Sequence, residues 1–220
     1  MEDLTPFMEQ SHNLVKENII HPTSIIEPGV VIGTGNYIGP FCYIKAGTVI
    51  GNNNRFEAYC SIGTHPEHRD YFTESIHPVE IGDNNVFREF VTINAGTVRS
   101  TVIKNNVTML RASHVGHDSE VWDKVTLSCN VLLGGHSTVF EGANMGLGSM
   151  CHQYCTIGPY SMVGMGGVVT KSTPILPGKI YAGIPAKLLK DNTVGLQRSG
   201  LTEEEYSNLK DLYENTCSMH

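Results

Sequence analysis

Charge is scarce in this sequence, and the little there is leans acidic. Only 17% of the 220 residues are Asp, Glu, Lys or Arg, and the formal net charge is −7. A basic footprint for nucleic acid or an anionic lipid surface is therefore not expected. Long apolar runs are absent too. No stretch approaches the ~20 apolar residues of a membrane span, and the polar start MEDLTPFMEQSHNLVKEN carries nothing resembling a signal peptide. The six cysteines (Cys42, Cys60, Cys129, Cys151, Cys155, Cys217) include no CxxC pair and no tight secreted-domain spacing. They read as reduced, mostly buried thiols of a cytoplasmic protein. At 220 residues the chain has room for one sizeable domain or two small ones.

What is present is a beat of six. From Ile26 every sixth residue is large and apolar: Ile32, Ile38, Ile44, Ile50, Phe56 and Ile62. The beat breaks at THPEHRDYFTESIHP (64–78), resumes at Ile81, Phe87 and Ile93, and breaks again near 94–101. It then runs through thirteen positions from Ile103 to Ile175. A helix repeats at 3.6 residues and a simple strand at 2, so neither explains it. A hexapeptide β-helix does: three hexads make one triangular coil, and each anchor fills the interior. Gly, Asn and Asp recur between anchors, where short strands must turn and some residues need positive φ. The expected fold is all-β, a left-handed parallel β-helix of seven to eight coils, about 35–38 Å long at strand spacing. An N-terminal segment spans 1–20, the β-helix 21–178, and a Gly/Pro-rich extension 179–220. The extension ends in LTEEEYSNLKDLYEN (201–215), an amphipathic helix with Thr202 as N-cap and Glu205 three residues on.

Eighteen residues per coil place residues 18 apart in vertical columns. His117 then stacks under Gly135 and Gln153, and Asp118 under His136 and Tyr154. His114, three residues before His117, falls under Leu132 and Met150, an apolar column. A histidine near neutrality is the usual general base for a hydroxyl or amine. A glycine lets a ligand approach the backbone, so an N–H at Gly135 suits an oxyanion. Asp118 could fix an imidazole tautomer, but successive strand residues point to opposite faces, so reaching His117 requires a corner between them. The alternative is that these histidines are ordinary polar residues on a prism face.

The segments HVGHDS, LLGGHSTV, CHQYCTIG and GLQRSG, in that order, resemble the acyl carrier protein-dependent UDP-N-acetylglucosamine O-acyltransferases that open lipid A biosynthesis. HPTSIIEPGVVIG, IGPFCYI, VEIGDNN and REFVTINAGT extend the resemblance from about residue 21 to about 215. The resemblance implies that His117 deprotonates the sugar 3-hydroxyl for attack on an acyl thioester, that Asp118 orients it, and that the Gly135 amide receives the oxyanion. It places His136, His152 and Gln153 at positions that contact the substrate sugar or the acyl-pantetheine arm, and Asn192 and Arg198 at positions that bind the nucleotide; His114, in its apolar column, reads as a substrate-side or structural neighbour. It further implies a homotrimer, no tightly bound cofactor or metal, and acyl-ACP or acyl-CoA as co-substrate.

Several positions depart from that family. Met165 stands where many long-chain enzymes carry a small residue, which implies a shorter acyl chain. The break at 94–101 is shorter than the family loop, and the first loop offers Arg69 where the family uses a lysine near the nucleotide. Val194 replaces a family carboxylate, and the family's basic helical tail, which docks the carrier protein, is incomplete. AGIPAK (182–187) is also the exit motif of acetyl-CoA-dependent hexapeptide enzymes, so N-acylation of an amino-deoxy nucleotide sugar is a second reading. A third is a gamma-type carbonic anhydrase, with His114 and His117 as zinc ligands; their three-residue spacing does not match that family's five. His65, His68 and His77 of the first loop read as solvated residues or as a weak metal cluster.

Overall fold

The computed structural model describes residues 17–69 and 77–218. The first sixteen residues of the N-terminal segment and part of the first loop lie outside the described residues. Within them the chain winds into a parallel β-helix of about nine turns, built from strands of mostly two residues. Three sheets form the prism faces. The first runs from Ile19–Ile20 through nine parallel strands to Lys179–Ala182 and closes on an antiparallel strand, Lys187–Asp191. The second, with eight strands, carries Ser61–Thr64, Thr92–Asn94, His114–Val115, Leu132–Leu133 and Met150–Cys151. The third has seven.

The turn count exceeds the hexad estimate because the ladder already includes Ile19–Ile20 and continues past Ile175 to Ile180 and Tyr181. Pairing advances by 18 residues, as in His114 with Leu132 and Leu132 with Met150. At the two breaks it advances further, Arg55 pairing with Val86 and Val86 with Thr108. Both loops are thus extruded while the ladder continues in register.

The anchors from Ile38 to Ile175 line a single core, nearly all without exposed surface. Ile26 and Ile32, near the open first turns, are only partly buried against it. One corner is stitched internally by asparagines. Asn36 Oδ1 accepts from the N–H and side chain of Asn54, Asn54 Oδ1 accepts from Asn85 N, and Asn85 Oδ1 from Val107 N. The amide side chains reach the carbonyls of Gly51, Gly82 and Lys104. Buried corner backbone groups therefore keep partners without water.

Other corners turn through left-handed residues that are not glycine, among them Asp118 (φ 59°) and His136 (φ 58°). L-residues pay roughly 1–2 kcal/mol there, and hydrogen bonds or ring stacking at the corner offset it. Two helices follow the prism. The first, α1 (Thr193–Ser199), is not foreseen by the apolar pattern; Asn192 caps it by accepting from Gly195 N, and Gly200 ends it in the left-handed region. The second, α2 (Glu203–Ser218), begins as expected: Glu205 N–H donates to Thr202 Oγ1, while Glu205 Oε2 accepts from Thr202 N. It extends three residues beyond the expected end and buries Tyr213 against Phe140.

Candidate active site

The corner between the second and third sheets turns between His117 and Asp118, and this turn answers the reach problem. With Asp118 in the left-handed region, both side chains come to one side. His117 Nδ1 lies 2.6 Å from Asp118 Oδ2. Asp118 is wholly buried and heavily bonded. Oδ1 accepts from the N–H groups of Thr97, Val98 and Arg99 at 2.8–2.9 Å, and Oδ2 from the Thr97 hydroxyl at 2.6 Å. Its own N–H donates to Thr101 Oγ1, and Arg99 Nε donates to its carbonyl. Burial alone would raise the Asp118 pKa, but the hydrogen bonds from Thr97, His117, Val98 and Arg99 outweigh it and hold the carboxyl well below the usual range.

An ionised carboxylate only accepts hydrogen bonds, so the His117 proton resides on Nδ1 and Nε2 keeps its lone pair. The face of the His117 ring packs on Gly135: a Cβ there would lie 2.7 Å from His117 Nε2 and Cε1 and 3.0 Å from Nδ1. Hydrogen is required at position 135 to leave the imidazole room. The neighbouring ladder bonds run from Gly134 N to Cys151 O and from His136 N to His117 O. The Gly135 N–H itself meets no protein acceptor among the described residues.

These groups border a groove of about 770 Å³ over the second sheet. His114, His117, Gly135, His152 and Gln153 all line it. His114 stacks in the Leu132–Met150 column as the repeat requires, with Nδ1 2.8 Å from Thr92 Oγ1. Burial lowers its pKa from the ordinary imidazole value, partly offset by the Glu67 charge. His136 lies behind the dyad and not in the groove. Its Nε2 is 3.5 Å from Asp118 Oδ2, its ring meets the His117 ring edge-on at 5.2 Å, and Tyr154 stacks on it at 4.4 Å. Burial lowers its pKa, partly offset by the Asp118 charge.

The remaining residues expected at the site are elsewhere in this chain. Asn192 caps α1 and donates to Tyr160 O; Arg198 and Arg69 are exposed; Met165 is 73% exposed. None of these four lines the groove. Other residues that shape the site were not anticipated. His68 brings its ring to 5.5 Å from His117 in an edge-on contact, and Glu67 lines the groove. The clamp on Asp118 comes from the break at 94–101. The one available signal was that this break in the beat falls in the coil just before the dyad.

The ligand atoms of His117, Asp118 and His136 lie within 4.8 Å of one another. Asp118, however, already receives three N–H groups, a hydroxyl and an imidazole on its two oxygens, which exhausts a carboxylate's lone-pair sites. His114, needed for a zinc reading, is outside that group.

A parallel β-helix of hexads, with a histidine, a buried carboxylate and an available amide at one corner, has the architecture of the hexapeptide-repeat transferases. The bacterial transferase hexapeptide family (six repeats) matches residues 29–64. The narrower likeness is to UDP-N-acetylglucosamine O-acyltransferases. The solved structure of that enzyme from Moraxella catarrhalis RH4 is 31% identical, with a TM-score of 0.63 over 90% of this chain and 79% of that one. LpxA from Acinetobacter baumannii gives a TM-score of 0.75 at 28% identity, covering 89% and 83%. Among curated sequences, acyl-[acyl-carrier-protein]–UDP-N-acetylglucosamine O-acyltransferase of Anaeromyxobacter dehalogenans (strain 2CP-1) is 35% identical over 137 residues, 61% of this chain and 52% of the relative. This chain thus spans about half the length of the curated relatives it matches first. It belongs to the hexapeptide-repeat acyltransferases resembling UDP-N-acetylglucosamine O-acyltransferase.

Proposed function

We propose that the chain transfers an acyl group, of short to medium length, from a thioester to a hydroxyl of a nucleotide-linked sugar, most like 3-O-acylation of UDP-N-acetylglucosamine. The observation that carries this is the imidazole of His117, with Nδ1 held by Asp118 and its ring packed on Gly135 where both line the groove. His117 Nε2 takes the proton of the acceptor hydroxyl as its oxygen attacks the thioester carbon. The charge that develops on the carbonyl oxygen is received by the Gly135 N–H. As the tetrahedral centre collapses, the C–S bond breaks, and the proton on His117 passes to the departing thiolate. An oxygen ester and a free thiol result, with His117 restored. Asp118 stays ionised throughout and stabilises the imidazolium.

The donor is acyl carrier protein or coenzyme A carrying the acyl chain, and no tightly bound cofactor takes part. In this reading the working unit is a homotrimer in the cytoplasm. Asn192, Arg198 and Arg69, which do not line the groove of their own chain, serve the nucleotide across a subunit boundary, and Met165 limits the acyl chain in the same way. No helix among the described residues is long and apolar enough to cross a membrane.

The test is a panel of short and long acyl-carrier-protein and acyl-CoA thioesters against UDP-N-acetylglucosamine and amino-sugar nucleotides, read by mass spectrometry. Acylated UDP-N-acetylglucosamine is the expected product. Product only with an amino sugar would replace O-acylation by N-acylation, and no product with any pair would overturn the reading.

A further inference from the structure

Two imidazoles lie within reach of one carboxylate oxygen. His117 Nδ1 is 2.6 Å from Asp118 Oδ2, and His136 Nε2 is 3.5 Å from the same atom. Of the two, His117 lines the groove and His136 does not. The base is oriented only if the carboxylate serves His117. A third group bears on the choice: the hydroxyl of Thr97 donates to Asp118 Oδ2 at 2.6 Å.

Each oxygen of a carboxylate offers about two lone-pair sites. Those of Oδ1 are taken up by the N–H groups of Thr97, Val98 and Arg99. Oδ2 gives one site to the Thr97 hydroxyl and one to His117, which leaves none for His136. Donors gathered on Oδ1 still allow the carboxylate to pivot about that atom. The hydroxyl opposes the swing that would carry Oδ2 from His117 toward His136.

Thr97 is itself braced. Gly96 and His77 exchange N–H···O bonds of 2.9 and 3.0 Å, Ala95 N donates to Thr64 O, and Thr101 N donates to Pro78 O. Both ends of the first loop therefore hold the turn that carries Thr97. A Cβ at Gly96 would lie 1.6 Å from Arg99 O, so only glycine lets the turn close this tightly. Thr97 is buried and does not line the groove, so it acts through Asp118.

We propose that Thr97 is a positioning residue whose hydroxyl commits Asp118 to His117 and denies it to His136. Its effect on rate rests on the acyltransferase reading; its effect on the imidazole proton does not.

The test uses Thr97→Val, which keeps the shape and the three backbone donors, with Thr97→Ala as a second variant should valine unfold the chain. Folding is checked by thermal midpoint. Either variant should lower kcat about 10–100-fold with KM for both substrates nearly unchanged, the scale of a reacting group misplaced by up to about 1 Å. Thr97→Ser restores the hydroxyl and should recover most of kcat. Removing the competitor should also help: in a His136→Phe background, Thr97→Val should cost less than about three-fold. Phe41 and Phe90 already occupy left-handed corners, so phenylalanine suits position 136. Independently of transfer, long-range proton–nitrogen NMR spectra of histidine-labelled protein in mildly alkaline solution show which ring nitrogen carries the proton. His117 should be protonated at Nδ1 in the intact protein and in Thr97→Ser, and should become a mixture with Nε2 in Thr97→Val. Unchanged kcat in the valine and alanine variants overturns the proposal. So does a loss that serine fails to recover, a loss undiminished in the His136→Phe background, or a His117 proton that stays on Nδ1 without the hydroxyl. A chain that transfers no acyl group loses the acyltransferase reading, and the NMR spectra alone then decide the role of Thr97.

Discussion

Adding one methyl group at Gly135 tests the site geometry without touching any polar group. The Cβ of Gly135→Ala would fall 2.7 Å from His117 Nε2 and Cε1 and 3.0 Å from Nδ1. Carbon atoms in contact prefer about 3.5–4.0 Å, so the ring must retreat by roughly 1 Å. It has little freedom to do so. Nδ1 is tied at 2.6 Å to Asp118, whose carboxylate is fixed by Thr97, Val98 and Arg99. A displacement of about 1 Å at a reacting group costs on the order of 100-fold in rate, and overpacking costs about 1–3 kcal/mol of stability. The Gly135 amide survives the substitution, so the loss falls on the placement of the base. The assay is steady-state kcat with one thioester and UDP-N-acetylglucosamine, alongside a thermal unfolding midpoint. A variant that folds and keeps kcat within about three-fold would refute the crowding argument and the position assigned to Nε2.

Three further outcomes follow from the fold and the site. Asn54→Leu orphans the part-buried Gly82 carbonyl and the buried Asn85 N–H, which should cost roughly 2–6 kcal/mol in denaturant unfolding; a loss under 1 kcal/mol would mean the asparagine column is not what holds that corner. Asp118 has a folded pKa depressed below its unfolded value of about 3.9. Its stabilisation is therefore complete above about pH 5 and fades as pH falls through 4 and below. The stability gap between the intact protein and Asp118→Asn should shrink with acidification in urea titrations, and a gap that widens in acid contradicts the sign. Met165→Gly should move donor preference toward longer acyl chains in competition assays, and an unchanged profile removes Met165 as the ruler.

Much of this was legible in the residues because a β-helix converts sequence spacing directly into position. The beat of six fixes which residues face inward, and 18-residue stacking brought Gly135 above His117 and His136 above Asp118 before any coordinates. The same arithmetic separated His114, under Leu132, from His117. It could only say that Asp118 needed a corner to reach His117; the left-handed turn supplies one. The clamp by Thr97, Val98 and Arg99 was not legible, since those donors sit in an extruded loop with no period. His68 was missed for the same reason: loop residues return to the prism through contacts that spacing does not encode. The helix α1 carries no apolar stripe, and its start depends on a local hydrogen bond from Gly195 N to the side chain of Asn192. Asn192, Arg198, Arg69 and Met165 were named from family positions, and a single chain gives them no shared groove.

The most direct measurement compares the intact chain with His117→Ala in single-turnover transfer, enzyme in excess over an acyl thioester, with UDP-N-acetylglucosamine present. The account predicts that the intact chain esterifies the sugar. The variant, with an unchanged thermal midpoint, should lose at least about a thousand-fold in rate, the scale of a general base with its oxyanion donor left idle. Transfer by His117→Ala at a near-normal rate would contradict the assignment of His117 as the base on which the account rests.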